Sequence, residues 1–219
     1  RPDAVCHLAA QIDVTESVVV KPGTYRVEDR DGNGVLHVLA DGADIDFQGS
    51  TLWGCPEGTA PDQRKGIGIS IRGRKGVTIR RANLHGFFNG IRAEDCSGLA
   101  VEECDVSHTY AHSLRDGDKI AGDALWLGIR YLEDWRTYGA GIWLEGCKRA
   151  RVARCSGKRS LNGILLIDSK ECELSNNEMT FNSGWGIGLY RSSRNRILYN
   201  TLDWNIGAGD GAGIAIVDS

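Results

Sequence analysis

Apolar and polar residues alternate along most of this chain in short runs. Ile69-Ser70-Ile71, Val77-Thr78-Ile79, Leu99-Ala100-Val101 and Ile187-Gly188-Leu189 all read in-out-in. A period of two predicts half-buried strands, since successive side chains of a strand point to opposite faces. Gly, Asn, Ser and Lys punctuate the runs and predict tight turns. The dipeptide Gly-Ile supplies a frame, at Gly68-Ile69, Gly90-Ile91, Gly141-Ile142, Gly163-Ile164, Gly186-Ile187 and Gly213-Ile214. The intervals are 22, 51, 22, 23 and 27 residues. The 51 is one 22-residue unit plus an insertion of 29, and the 27 holds a shorter one near Gly207–Gly211.

Other positions recur on the same frame. Eleven residues after the first five glycines stand Ile79, Val101, Val152, Leu174 and Ile197. Sixteen residues after stand Leu84, Val106, Gly157, Met179 and Leu202. Fourteen residues after stand Ala82, Cys104, Cys155, Asn177 and Asn200, all small or amide side chains. Each unit therefore holds three short strands. One such coil cannot bury its own inner face, whereas coils stacked about 4.8 Å apart can. The predicted architecture is an all-β parallel β-helix of about 22-residue coils. Asn177 over Asn200 predicts an amide ladder between coils.

One domain over 1–219 is expected. It divides into an entry at 1–34, coils at 35–108, an insertion at 109–139 and coils at 140–219. Val18–Val20 and Tyr25–Val27 flank the turn at Lys21–Thr24 and open the solenoid. In the insertion, Asp123 is a plausible N-cap, and Leu125, Ile129, Leu132 and Trp135 share one helical stripe. A short helix over 124–137 is expected to lie on the first-strand face, either as a lid that shields apolar surface or as an active-site wall. The chain starts at Arg1 without Met and stops two residues after an apolar run. A leader before Arg1 and further coils, or self-association, beyond Ser219 are therefore expected.

The pattern Gly-Ile-x-Ile, a turn, Val-x-Ile, then Asn or Cys resembles the repeats of pectin-lyase-like proteins, closest to right-handed β-helix region and NosD-like chains. Val-Val-Lys-Pro-Gly-Thr-Tyr at 19–25 and Ala-Asp-Ile-Asp-Phe-Gln-Gly at 43–49 look like the entry segments of such chains. The resemblance covers roughly 17–219 and implies a right-handed helix. It is specific for fold and poor for function, because the superfamily includes lyases, hydrolases, epimerases and noncatalytic members. It implies a secreted or periplasmic protein that binds or processes a polysaccharide or oligosaccharide, with a noncatalytic scaffold as the alternative.

Composition narrows this only a little. The chain is 41% hydrophobic and 25% charged, with a net charge of -3, so no strong field points to nucleic acid. No apolar run of about 18 residues spans a bilayer. Glycine is abundant, 29 against 4 Pro, which fits many tight turns. Seven cysteines leave at least one unpaired. Cys96 and Cys147 share one frame position, and Cys104 and Cys155 another. Stacked free thiols or a disulfide could result, and in-register neighbours that point the same way favour thiols. Cys172 has core parity, while Cys6 and Cys55 fall outside the frame and could bridge. The absence of C-x-x-C argues against a zinc site.

The candidate chemistry lies on the outward side of the first strand. Two ladders are expected there: Ser70, Arg92, Trp143, Leu165, Gly188, Ala215, and Arg72, Glu94, Glu145, Ile167, Tyr190, Val217. The early coils are charged. The later ones are too apolar for open water and require a cover or a partner. The family resemblance implies a groove along this face, with Arg72, Trp143 and Tyr190 as sugar contacts. It also implies a lyase-like site with an Arg or Lys base beside a carboxylate-bound Ca²⁺. Lys119, Arg92, His108 and His112 are the catalytic candidates, and Glu94, Glu145, Asp116 and Asp118 the metal candidates. The blander reading makes Arg92 and the glutamates an ion-paired ladder and Asp116-Gly117-Asp118 a turn. A hydrolase would need two opposed carboxylates, and the Asp-Pro-His-Asp motif of alginate epimerases is absent. His85 reads as structural and Asp31-Gly32-Asn33-Gly34 as a turn.

Overall fold

The computed structural model describes residues 4–6, 8, 10–111, 138–206 and 211–219. Within them the period-two runs are strands stacked in parallel rows. The first-strand row is an eight-stranded sheet: Ile12–Val14, Leu36–Val38, Ile67–Arg72, Asn89–Glu94, Ala140–Glu145, Asn162–Ile167, Trp185–Tyr190 and Ala212–Val217. The second row, also eight-stranded, runs from Ala4–Cys6 to Arg196–Leu198. The third is shorter, and the single bridges Asn83↔Asp105 and Asp105↔Ser156 join its two parts. The result is a right-handed parallel β-helix. Among the described residues its one helical element is a 3-10 turn at Pro61–Gln63, and no helix is long and apolar enough to cross a membrane.

The register follows the frame. Ile69, Ile91, Ile142, Ile164, Ile187 and Ile214 form one inward column. The long interval between Gly90 and Gly141 leaves stacking intact, since Asn89 pairs with Ala140 and Glu94 with Glu145. The rows also extend upstream of Gly68, where Ile12–Arg26 and Leu36–Trp53 each contribute strands to all three. Ile79, Leu84, Val101, Val152 and Leu174 are fully buried in the axial core.

The frame glycines have a steric cause. A Cβ on Gly68 would sit 2.6 Å from the carbonyl oxygen of Gly90, and one on Gly90 would sit 2.7 Å from that of Gly141. The same conflict joins Gly141 to Gly163, Gly163 to Gly186 and Gly186 to Gly213. These glycines form a seam where adjacent coils approach too closely for any side chain.

The corners of the solenoid are left-handed residues, most of them not glycine. Arg81, Glu103, Arg154, Asn176 and Tyr199 close the second strand, all at φ 55°. His108, Arg159, Phe181 and Trp204 close the third, at 56°, 55°, 57° and 57°. A residue with a Cβ is disfavoured in this region, so polar ladders inside the turns hold the backbone there. Asn177 donates to Asn200 Oδ1 at 3.0 Å, and Asn182 to Asn205 Oδ1 at 3.0 Å. Backbone N–H groups of Cys147, Ser169 and Ser192 donate to the hydroxyls of Ser169, Ser192 and Ser219.

The thiols are stacked and unbonded. Cys96, Cys104, Cys147, Cys155 and Cys172 are buried and free. Cys55 is also free, which rules out its bridge to Cys6. The two cysteines stand on different rows: Cys6 pairs with Val20 in the second-strand row, while Cys55 follows Trp53 of the third. Asp31-Gly32-Asn33 is a turn closed on itself, with Asn33 N–H donating to Asp31 Oδ1 at 3.0 Å.

Candidate functional site on the first-strand flank

The first strand places Arg72, Arg92, Glu94, Trp143 and Glu145 on one outward surface, each fixed by parallel register. Glu94 and Glu145 lie directly opposite one another in adjacent coils. Two stacked carboxylates repel, and Arg92 relieves this by reaching both. Its Nε lies 2.6 Å from Glu94 Oε1 and its Nη2 3.9 Å from Glu145 Oε2. The Nε contact is off the N–H direction, so it is ionic rather than a hydrogen bond. Arg72 pairs with Glu94 from the outer side. Trp143 supplies the floor: its Nε1–H donates to Glu145 Oε2 at 3.3 Å, and the Arg92 guanidinium lies 5.5 Å from its ring centroid. The Arg92, Glu94 and Glu145 side chains are only 22%, 15% and 23% exposed, so the cluster is partly desolvated and its charges are less screened than in open water.

Further along the flank the outward residues are apolar and buried. Trp143, Leu165, Ile167, Trp185, Tyr190 and Val217 form a second hydrophobic cluster, separate from the axial core. Trp143 is 1% exposed and Tyr190 2%, so neither ring offers an open face to a sugar. These outward residues are thus buried rather than open to solvent. The helix expected over 124–137 lies outside the described residues, as do His112, Asp116, Asp118, Lys119 and Asp123.

His108 stands elsewhere. It occupies a third-strand corner beside His85, ring centroids 5.9 Å apart, and Arg64 donates to its carbonyl at 2.9 Å. Burial, then the charges of His85, Arg64 and Arg159, hold its imidazole below the usual histidine range. His85 donates Nδ1–H to the Ser107 carbonyl at 2.8 Å, the structural role read for it. Arg64, Phe181 and Trp204 escaped the sequence reading. The last two would have emerged from the column eighteen residues after each frame glycine, which holds Gly86, His108, Arg159, Phe181 and Trp204.

The described members of the calcium set do not fit a metal centre. A guanidinium stands between Glu94 and Glu145, and no three His, Cys, Asp or Glu among the described residues could hold an ion together. The arrangement can bind hydroxyl or carboxylate groups through exchangeable ion pairs. It does not present two opposed carboxylates flanking a bond.

No curated protein and no solved structure matches this chain. A family model described as "Right handed beta helix region" matches residues 33–219. The chain belongs to that family of right-handed β-helix proteins.

Proposed function

We propose that this chain binds a polysaccharide along its first-strand flank, with Arg72, Arg92, Glu94 and Glu145 as the contact groups and Trp143 as the packed floor beneath them. The observation that carries this reading is the ladder of mutually paired, partly desolvated charges at one-coil spacing. One coil step is close to the length of one sugar residue, so an extended polymer lying along the axis meets Arg72, Glu94 and Glu145 at successive units. Ion pairs of this kind exchange partners readily with sugar hydroxyls or a uronate carboxylate. In this reading the protein works outside the cytoplasm and stands near the pectin-lyase-like and NosD-like groups. Lyase-type cleavage is its catalytic form, with Arg92 or Lys119 as the proton acceptor; no step is routed through a metal.

A panel of acidic and neutral polysaccharides tests this, with binding followed by calorimetry and product release by ultraviolet absorbance, with and without chelator. Binding that falls at least about tenfold in Arg92→Ala supports the reading. No binding to any polymer overturns it. A second reading, a noncatalytic interaction module, is favoured by the outer apolar cluster. Stable assembly with a protein partner and no response to any sugar would favour that module.

A further inference from the structure

The third-strand flank carries exposed aromatic surface that the first-strand site does not use. Phe181 and Trp204 are 57% and 67% exposed, and their rings are parallel within 3° with centroids 6.4 Å apart. A parallel, offset pair of this kind presents one stepped aromatic surface to solvent. Both residues sit at left-handed corners, φ 57° each, where a bulky side chain is strongly disfavoured. Each is followed by a buried asparagine, Asn182 or Asn205, whose amide ladder pins the turn. The rings are therefore held one coil apart by a rigid scaffold, and little order remains to be imposed on binding.

Most flanking groups are polar, while Ile206, 65% exposed two residues after Trp204, extends the apolar surface at one end. Lys158 pairs with Glu178 at 2.6 Å, and Glu178, Asp203 and Arg159 are exposed. The hydroxyl of Thr180, next to Phe181 and 3% exposed, has no hydrogen-bond partner among the described residues. Two rings bury about 150–250 Å² each at most, well short of the roughly 800 Å² per partner of a stable protein interface. A narrow aromatic strip edged by donors and acceptors suits a ligand that is apolar on its faces and hydroxylated at its rim.

We propose that Phe181 and Trp204 form a saccharide-stacking site on the third-strand flank, which takes an oligosaccharide of flat, equatorially substituted pyranose units. The ring faces stack on the aromatic pair, and the equatorial hydroxyls reach the polar groups on either side. The site is independent of Arg92 and Glu94, which lie on another row.

Calorimetric titration of the protein with cellohexaose and xylohexaose tests the assignment. Phe181→Asn and Trp204→Asn are the informative variants, because asparagine accepts the left-handed corner and preserves the fold. At least one probe binds the wild type. Trp204→Asn weakens it about tenfold and Phe181→Asn several-fold, while Trp204→Tyr retains most of the affinity. Tyr199→Asn, an exposed aromatic at a second-strand corner, leaves this binding unchanged, and the Phe181 and Trp204 variants leave the first-strand flank intact, which separates the two readings. Failure of both probes to bind, or equal binding by the double Asn variant, overturns the assignment. So does a wild-type oligomer that dissociates in Trp204→Asn, which would make the pair a contact between copies of the chain.

Discussion

Asn182 ties its own coil to both neighbours through a single side chain: its amide donates to Asn205 Oδ1 at 3.0 Å and to the Gly157 carbonyl at 3.1 Å, while its own oxygen accepts from the Ser160 N–H at 3.1 Å. All three partners are buried or half-enclosed, so no water replaces a lost bond cheaply. Asn182→Ala is expected to cost about 2–4 kcal/mol, seen as a lower denaturant midpoint. Asn182→Asp is expected to cost more, because it sets oxygen against two acceptors.

The glycine seam yields a positional contrast. Gly163→Ala forces a Cβ against the Gly186 carbonyl and the Met179 side chain, and is expected to lower the melting temperature sharply or abolish soluble expression. At Gly213 the nearest atoms to an added Cβ lie at 3.4 Å, so Gly213→Ala is expected to be nearly neutral. Equal losses at the two positions would contradict the seam.

His108 makes stability depend on pH near neutrality. Its folded-state pKa is depressed below the ordinary 6.5. As pH drops below about 6.5 the unfolded chain takes the proton first, and folding stability falls until the folded-state pKa is reached. His108→Asn, which suits the left-handed corner, is expected to flatten the difference in melting temperature between pH 7.5 and pH 5.

Asp46 acts at lower pH. Burial pushes its carboxyl up, but hydrogen bonds from Arg81 and the Gln48 N–H, with the charges of Arg81 and Arg80, outweigh burial and hold it below the usual carboxylate range. Its contribution is complete above the unfolded value of about 3.9 and is lost as pH falls through the folded one. Asp46→Asn is expected to lose stability at pH 7 and to show a shallower acid transition in a pH titration of the unfolding midpoint.

The stacked thiols are expected to resist modification. Burial, then its contact with Cys155, pushes the Cys104 thiol well up, and Cys147 is raised by its hydrogen bond with Cys96 and by burial. A thiol reagent at mildly alkaline pH should label Cys104 and Cys147 only after denaturant is added, as peptide mapping would show. Rapid labelling of the native protein would contradict their burial.

Register was legible in the sequence because every coil repeats it: the isoleucine column after Gly68 and the column from Ala82 to Asn200 both stand as read. The charged ladder of Arg72, Arg92, Glu94 and Glu145 followed from the same alternation. The left-handed corners did not. Arg, Glu, Asp, His, Phe and Trp all occupy them, so residue type gives no signal, and only the ladders behind them explain the conformation. The burial of Trp143 and Tyr190 was legible only as the need of an apolar ladder for cover, and the two rings were read as sugar contacts all the same. Period two says that a side chain points outward, and outward means solvent only where nothing else packs on that face.

The seam has a genetic consequence. Each frame glycine meets the next through the same carbonyl, so a tandem duplication of residues 163–185 would create a coil whose glycine faces Gly186 as Gly163 does now. Such an event leaves every existing contact between coils in kind. The number of coils, and with it the length of any surface along the axis, can then change by a single recombination that keeps the glycine seam in step.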